Sequence, residues 1–191
     1  MALNKQSDQS DETLLALFAT GDQHAARVLT ARLLPGVFAL ARRMLADQAE
    51  AEDVAQEAMI KLWKIAPDWR RGEAKVSTWL YRISANLCTD RLRKRRTVGL
   101  DGVPETADEQ PSVEANLIAN DRAATLRSAL EKLPERQKLA LVLRHFEELS
   151  NPEIATVLET SVEAIESLLG RGRRALAGIL APKRSELGFE Q

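Results

Sequence analysis

Apolar residues recur at steps of three and four along most of this chain, the period of an amphipathic helix, and no run alternates long enough to predict a strand. Before position 97 the pattern predicts four helices. The first covers 11–20, capped by Ser10 or Asp11. The second covers 23–45, with an interruption expected near Pro35. The third covers 48–66 and puts Ala51, Val54, Ala58, Leu62 and Ile65 on one stripe. The fourth covers 77–95, N-capped by Ser77 or Thr78, and buries Leu80, Ile83 and Leu87. Further helices are expected over 113–131, 135–147, 152–159 and 162–179. Asn151-Pro152 reads as an N-cap followed by proline at the first helical position, where a missing N–H costs nothing. Pro134 plays a similar part before Glu135. Between the two sets, TVGLDGVPETADEQP (97–111) has two glycines, two prolines and several acids with no apolar period, so it reads as a linker. The expected fold is therefore all-α: two small helical domains joined by a flexible acidic linker.

Composition supports that class. Aromatic residues are only 4% of the 191, and Ala, Leu, Glu and Arg dominate, which favours helix. No apolar run reaches the 18 or so residues that span a bilayer, and the polar start MALNKQSDQSDET lacks the apolar core of a secretory signal. A single cysteine, Cys88, allows no internal disulfide, and the cytoplasm is the expected location. The net charge of −1 taken alone argues against a polyanionic partner, but its distribution argues for one. RLRKRR (91–96) carries five cations in six positions, and RGRR (171–174) is basic again. Between them, 98–121 holds six acidic residues and no Lys or Arg. Two cationic surfaces flanking an acidic joint can bind nucleic acid locally whatever the sum.

Three constellations could carry function. On the 48–66 helix, Asp53, Gln56, Glu57, Lys61 and Lys64 share the face opposite the apolar stripe. That face is either solvated or a docking surface for a protein. In the segment 68–96, a loop with Trp69, Arg70 and Arg71 leads into a helix bearing Trp79, Tyr81, Arg82, Asn86, Asp90 and Arg93. An unpaired base needs an apolar or aromatic surface to stack on, an amide to read its edge and cations for its phosphates, and all are present. The spacing equally allows a solvated basic helix end, and Trp79 fits a core position better than a stacking platform. Finally, 152–179 reads as a helix-turn-helix with Ile154, Ala155, Leu158, Val162, Ile165, Leu168 and Leu169 inward. Ser161, Glu163, Ala164, Glu166 and Ser167 open its second helix outward, followed by Arg171, Arg173 and Arg174. A plain helical hairpin is the alternative. Catalysis finds no support: His24 and His145 lack clustered partners, Cys88 lies near an apolar face, and there is no phosphate-cradling glycine loop. No metal, cofactor or enzymatic activity is expected.

The segments AEAEDVAQEAMIKLWK (49–64), STWLYRISANLCTDRLRKRR (77–96) and LPERQKLALVLRHFEELSNPEIATVLETSVEAIESLLGRGRRAL (133–176), in this order, resemble the extracytoplasmic-function (ECF) sigma factors of bacterial RNA polymerase. The resemblance implies a sigma region 2-like domain over 10–96, a linker over 97–124 and a region 4-like domain over 125–180. It implies that Asp53, Gln56 and Glu57 dock on core RNA polymerase. It places the loop 69–74 and Asn86 at capture of an unpaired base of the −10 element, Asp90 where another family member carries a second base-reading residue, and Trp79 and Tyr81 in the strand-opening segment. Residues 161–174 fall on the helix that enters the −35 major groove of duplex promoter DNA. It also implies an anti-sigma factor as a further partner. Three features depart from the family pattern. Glu159 stands where the turn usually has Gly, Glu166 and Leu168 stand where the recognition helix often carries Lys and Arg, and Gly170 and Gly172 are expected to weaken that helix. A sigma mimic would have no need of RLRKRR or RGRR, and a lone repressor would leave the first domain without a task.

Overall fold

The computed structural model describes residues 9–70, 72, 74–98 and 115–183. Arg71, Glu73 and nearly all of the acidic linker lie outside the described residues. The elements are α1 (Asp11–Ala19), α2 (Gln23–Leu45), α3 (Gln48–Ile65), α4 (Val76–Val98), α5 (Ala115–Glu131), α6 (Glu135–His145), α7 (Asn151–Val157) and α8 (Val162–Leu180), with short 3-10 turns at Ala66–Asp68 and Ala181–Lys183. No strand occurs among the described residues. The chain divides into two compact units, one holding α1–α4 and the other holding α5, α6, α8 and most of α7.

In the first unit the helix ends follow directly from the sequence. Gly21, at φ 101°, ends α1, and the Asp22 N–H donates to the Leu17 carbonyl at 3.0 Å. The Asp22 carboxylate then accepts from the N–H groups of His24 and Ala25 at 2.8 and 3.2 Å, which starts α2. Ala46 and Asp47 repeat the device. Ala46 takes φ 55°, and Asp47 caps α3 by accepting from the Glu50 N–H at 2.9 Å. Of the two candidate caps for α1, Ser10 fills the role, accepting from the Thr13 N–H at 3.3 Å.

Two expectations here need correction. Helix α2 runs unbroken through Pro35. Pro35 and Ala31, whose carbonyl loses its donor, are both exposed, so water can satisfy the freed group. Helix α4 starts at Val76, and the Trp79 N–H donates to the Lys75 carbonyl, so Ser77 and Thr78 lie inside the first turn. Thr78 is buried there. Most of the predicted core is buried, but Ile65, Ile83 and Leu87 are only partly so and pack against its edge. Ala58 and Leu62 of α3 share one core cluster with Leu29, Leu33 and Val37 of α2 and Leu80 of α4, and Ala51, Val54, Leu40 and Cys88 are also buried.

The second unit is built around α6, whose Leu139, Ala140, Leu141, Val142 and Leu143 are all buried. Helix α7 begins with a capping box one residue earlier than expected. Ser150, not Asn151, is the cap: its hydroxyl accepts from the Glu153 N–H at 3.5 Å. The Glu153 carboxylate in turn accepts from the Ser150 N–H at 2.9 Å. Glu159 takes φ 50° in the turn, as its position demanded, and the Thr160 N–H donates to the Ala155 carbonyl at 3.0 Å. Ser161 caps α8 by accepting from the Ala164 N–H at 3.2 Å.

Gly172 still carries the helix cost of glycine, but it is buried, and a Cβ there would lie 3.0 Å from Leu141 Cδ1, so the absent side chain also serves the close approach of α8 to α6. Gly170 meets nothing within 4 Å and remains a plain helix weakener.

Candidate functional site

Helix α3 buries one stripe against α2 and α4 and turns the opposite face outward. Asp53 and Gln56 are exposed on that face and Glu57 is half-buried. The carboxylates do not stand alone. Arg91 reaches across from α4, with Nη1 3.5 Å from Asp53 Oδ2 and Nη2 3.9 Å from Glu57 Oε2, while Lys61 Nζ lies 3.4 Å from Glu57 Oε1. Arg95, one turn further along α4, makes the same kind of bridge. Its Nη2 is 3.0 Å from Glu50 Oε2, and its Nη1 donates to the Leu45 carbonyl at 2.9 Å.

These contacts split the RLRKRR run. Arg91 and Arg95, four residues apart, lie on the side of α4 that packs on α3. Arg91 is half-buried, and Arg93, Lys94, Arg95 and Arg96 are all exposed, with Arg93 on the opposite phase of the helix. The sequence reading singled out Arg93 from the five cations and did not separate Arg91 and Arg95 from the others. Helical phase carried the signal that separates them, because 91 and 95 are in register with the buried Leu80, Ser84 and Cys88 and the half-buried Leu87.

Trp79, Arg82, Asn86, Asp90 and Arg93 form a strip along α4 at steps of three and four, and Tyr81 lies off it. Asn86 and Asp90 are exposed, and Arg82 and Tyr81 half-buried. Arg93 Nη2 pairs with Asp90 Oδ1 at 2.8 Å, so two residues singled out separately share one ion pair. At the start of the strip Trp69 and Trp79 pack edge to face, with ring centroids 5.9 Å apart and planes at 87°. Both lean on the apolar core, which fits the structural reading of Trp79. The buried Trp69 indole N–H has no hydrogen-bond partner among the described residues. Arg70 is exposed beside it. The strip thus offers an aromatic pair, an amide and cations in sequence along one surface.

Helix α8 presents a divided surface. Ser161, Glu163, Glu166 and Ser167 are exposed over its first turns, Ala164 is half-buried, and Arg171, Arg173 and Arg174 are exposed further along. Ile165, Leu168 and Leu169 are buried and Val162 half-buried, as the apolar spacing required. The Ser161 hydroxyl is committed to capping the helix. A backbone hydrogen bond at Glu163 and a second bond from the Ser161 hydroxyl hold the Glu163 carboxyl below its ordinary range. That carboxylate therefore sits at the positive end of the helix, where a DNA phosphate would otherwise be favoured.

No group of His, Cys, Asp and Glu among the described residues could hold a metal ion, and no described helix is long and apolar enough to cross a membrane. Cys88 is buried, and His24 and His145 lie on separate helices.

Residues 29–98 match the Sigma-70 region 2 family, and residues 123–176 match the Sigma-70 region 4 family. The chain is 33% identical to the RNA polymerase sigma-H factor of Pseudomonas aeruginosa, covering 92% of this chain and 96% of that one. It is 35% identical to the ECF RNA polymerase sigma factor SigE of Mycolicibacterium smegmatis, covering 94% of this chain and 72% of the relative. The solved structure of CnrH in complex with the cytosolic domain of CnrY matches with a TM-score of 0.70 at 28% identity, over 91% of this chain and 99% of CnrH. Two family matches in the right order, on an all-helical chain with a capped helix-turn-helix, agree with relatives matched over nearly its whole length: the chain belongs to the ECF sigma factors of RNA polymerase.

Proposed function

We propose that this sigma factor divides its work between its two units. The first, over 10–96, docks core RNA polymerase through Asp53, Gln56 and Glu57 and reads unpaired −10 bases along α4. The second, over 125–180, holds the −35 duplex on α8, and 97–124 links them. The observation that carries the reading is the adjacency within the first unit. The outward acidic face of α3 and the amide- and cation-bearing strip of α4 are joined by the Arg91 and Arg95 bridges. Docking and base reading are thus built on one packed pair of helices.

The roles of individual residues follow from their chemistry. Asn86 offers both a donor and an acceptor to a base edge. Arg82, Arg93, Arg70 and Arg71 supply charge to the flanking phosphates. Asp90 orients Arg93 and can itself accept from an exocyclic amine. Trp79 gives an apolar wall near the point of strand separation, backed by Trp69, while Tyr81, two residues on, stands on a different face of α4. Unstacking a base costs a few kcal/mol, repaid by pocket contacts and phosphate pairing. On α8, Arg171, Arg173 and Arg174 meet phosphates, and Glu163, Ala164, Glu166 and Ser167 face base edges. The protein contributes no covalent chemistry; it selects the start site for the polymerase, in the cytoplasm where the polymerase works. Its activity is restrained by an anti-sigma factor, a reading supported by the likeness to CnrH bound to the cytosolic domain of CnrY.

Transcription from a randomised promoter pool, with core polymerase in the presence and absence of the protein, tests this. A shared −35/−10 pattern should appear only with the protein and vanish with Gln56→Ala/Glu57→Ala. Transcripts without a shared pattern, or a pattern indifferent to that double substitution, would refute the assignment.

A further inference from the structure

Ile60 keeps 50% of its surface exposed, and among the described residues only Phe146 joins it as a large exposed hydrophobic side chain. Nothing in the core of its own unit uses it. The inward stripe of α3 is formed by Ala51, Val54, Ala58 and Leu62, each fully buried. Ile60 instead follows Gln56 by four residues and Glu57 by three, and Lys64 follows it by four. Side chains at those steps stand beside one another on a helix. One aliphatic group therefore sits in the middle of a polar strip. Asp53 and Glu57 lie on its N-terminal side, and Lys61 and Lys64 lie on its C-terminal side. Arg91, behind the strip, fixes the acidic end in place through its contacts with Asp53 and Glu57.

We infer that Ile60 is the apolar anchor of the α3 docking face. It seats in an aliphatic pocket of core RNA polymerase. A cation of the polymerase stands opposite Asp53 and Glu57, and an acid stands opposite Lys61 and Lys64. This rests on the docking role proposed for α3. Interfaces draw most of their affinity from a few central apolar groups ringed by polar ones that exclude water, and Ile60 is the large apolar side chain of α3 left exposed, with Trp63, three residues on, half-buried against the core. The order of charge along the strip adds direction. Reversing α3 on its partner would set acid against acid and base against base, so the pattern admits one orientation of the docked helix.

The test is titration of the labelled full-length chain with core polymerase, comparing wild type, Ile60→Ala, Ile60→Asp and Gln56→Ala/Glu57→Ala, with thermal melts alongside. Ile60→Ala should weaken binding roughly tenfold and Ile60→Asp further, with the melting point of Ile60→Ala unchanged because the side chain packs on little of its own unit. If Ile60→Asp also lowers the melting point, Ile60→Ala alone decides. Wild-type affinity in the Ile60 variants, with binding lost in Gln56→Ala/Glu57→Ala, would overturn the anchor and leave the docking face standing. Wild-type affinity in all three would remove the docking face itself, and the anchor with it.

Discussion

Two glycines one residue apart on α8 differ in what they face. Gly170 borders open space, so Gly170→Ala should gain about 1 kcal/mol from helix propensity and raise the melting point. Gly172 faces Leu141, itself buried in the packed α6 core, so Gly172→Ala must push that side chain and should be less stable than Gly170→Ala. Equal melting points for the two variants would show that the α6–α8 approach has slack. Glu163 gives a prediction in pH. Its folded carboxyl lies below its unfolded value, so its contribution to stability is present above the ordinary glutamate range and is lost as pH falls through the folded value. An NMR titration should find its midpoint lower than that of an unstructured glutamate. Ser161→Ala should move it back toward that value, since the Ser161 hydroxyl is one of its two supports. A midpoint indifferent to Ser161 would leave the backbone bond as the sole cause.

Among the elements, α4 was the most instructive to compare with its sequence. Its existence, length and buried Leu80 were legible from spacing alone. The division of its cations was not, because composition counts charges while only helical phase and a packed neighbour decide where they point. Arg91→Ala should therefore leave the salt dependence of promoter binding by the polymerase complex unchanged, while Lys94→Ala should reduce its slope by about one. A matching reduction in both would return Arg91 to the DNA surface. Of the caps, Ser10 was read from the sequence, while Asp22, Asp47 and Ser161 are preferred cap residues that the reading did not single out as caps. Those at Ser150 and Lys75 were misplaced: Asn151-Pro152 imitates a cap one residue late, and Ser77-Thr78 attracted a helix start that belongs to Val76. Pro35 misled for a related reason. A proline costs a helix less where water can reach its freed carbonyl, and exposure is a property of the fold rather than of the residue. The docking and reading faces were visible as polar positions. What tied them together, the reach of Arg91 and Arg95 across two helices, spans about forty positions of chain and leaves no local pattern.

For the molecule as a whole, two small units on one chain each cover only part of a promoter. Neither should hold its half-site tightly alone, and polymerase raises the effective concentration of the second contact once the first is made. Free protein should therefore show weak binding to a complete promoter by electrophoretic shift, and the complex with core polymerase strong binding. Tight, specific retention by the free chain would contradict that division of labour. Within the first unit, the alternation in RLRKRR places two different selective pressures on one short stretch. Positions 93, 94 and 96, exposed and proposed to face DNA, are expected to vary as promoter preference changes. Positions 91 and 95 answer to α3 and must keep their charge whatever promoters the protein serves. A lineage could thus acquire new target genes by substitutions here without relearning how to engage its polymerase.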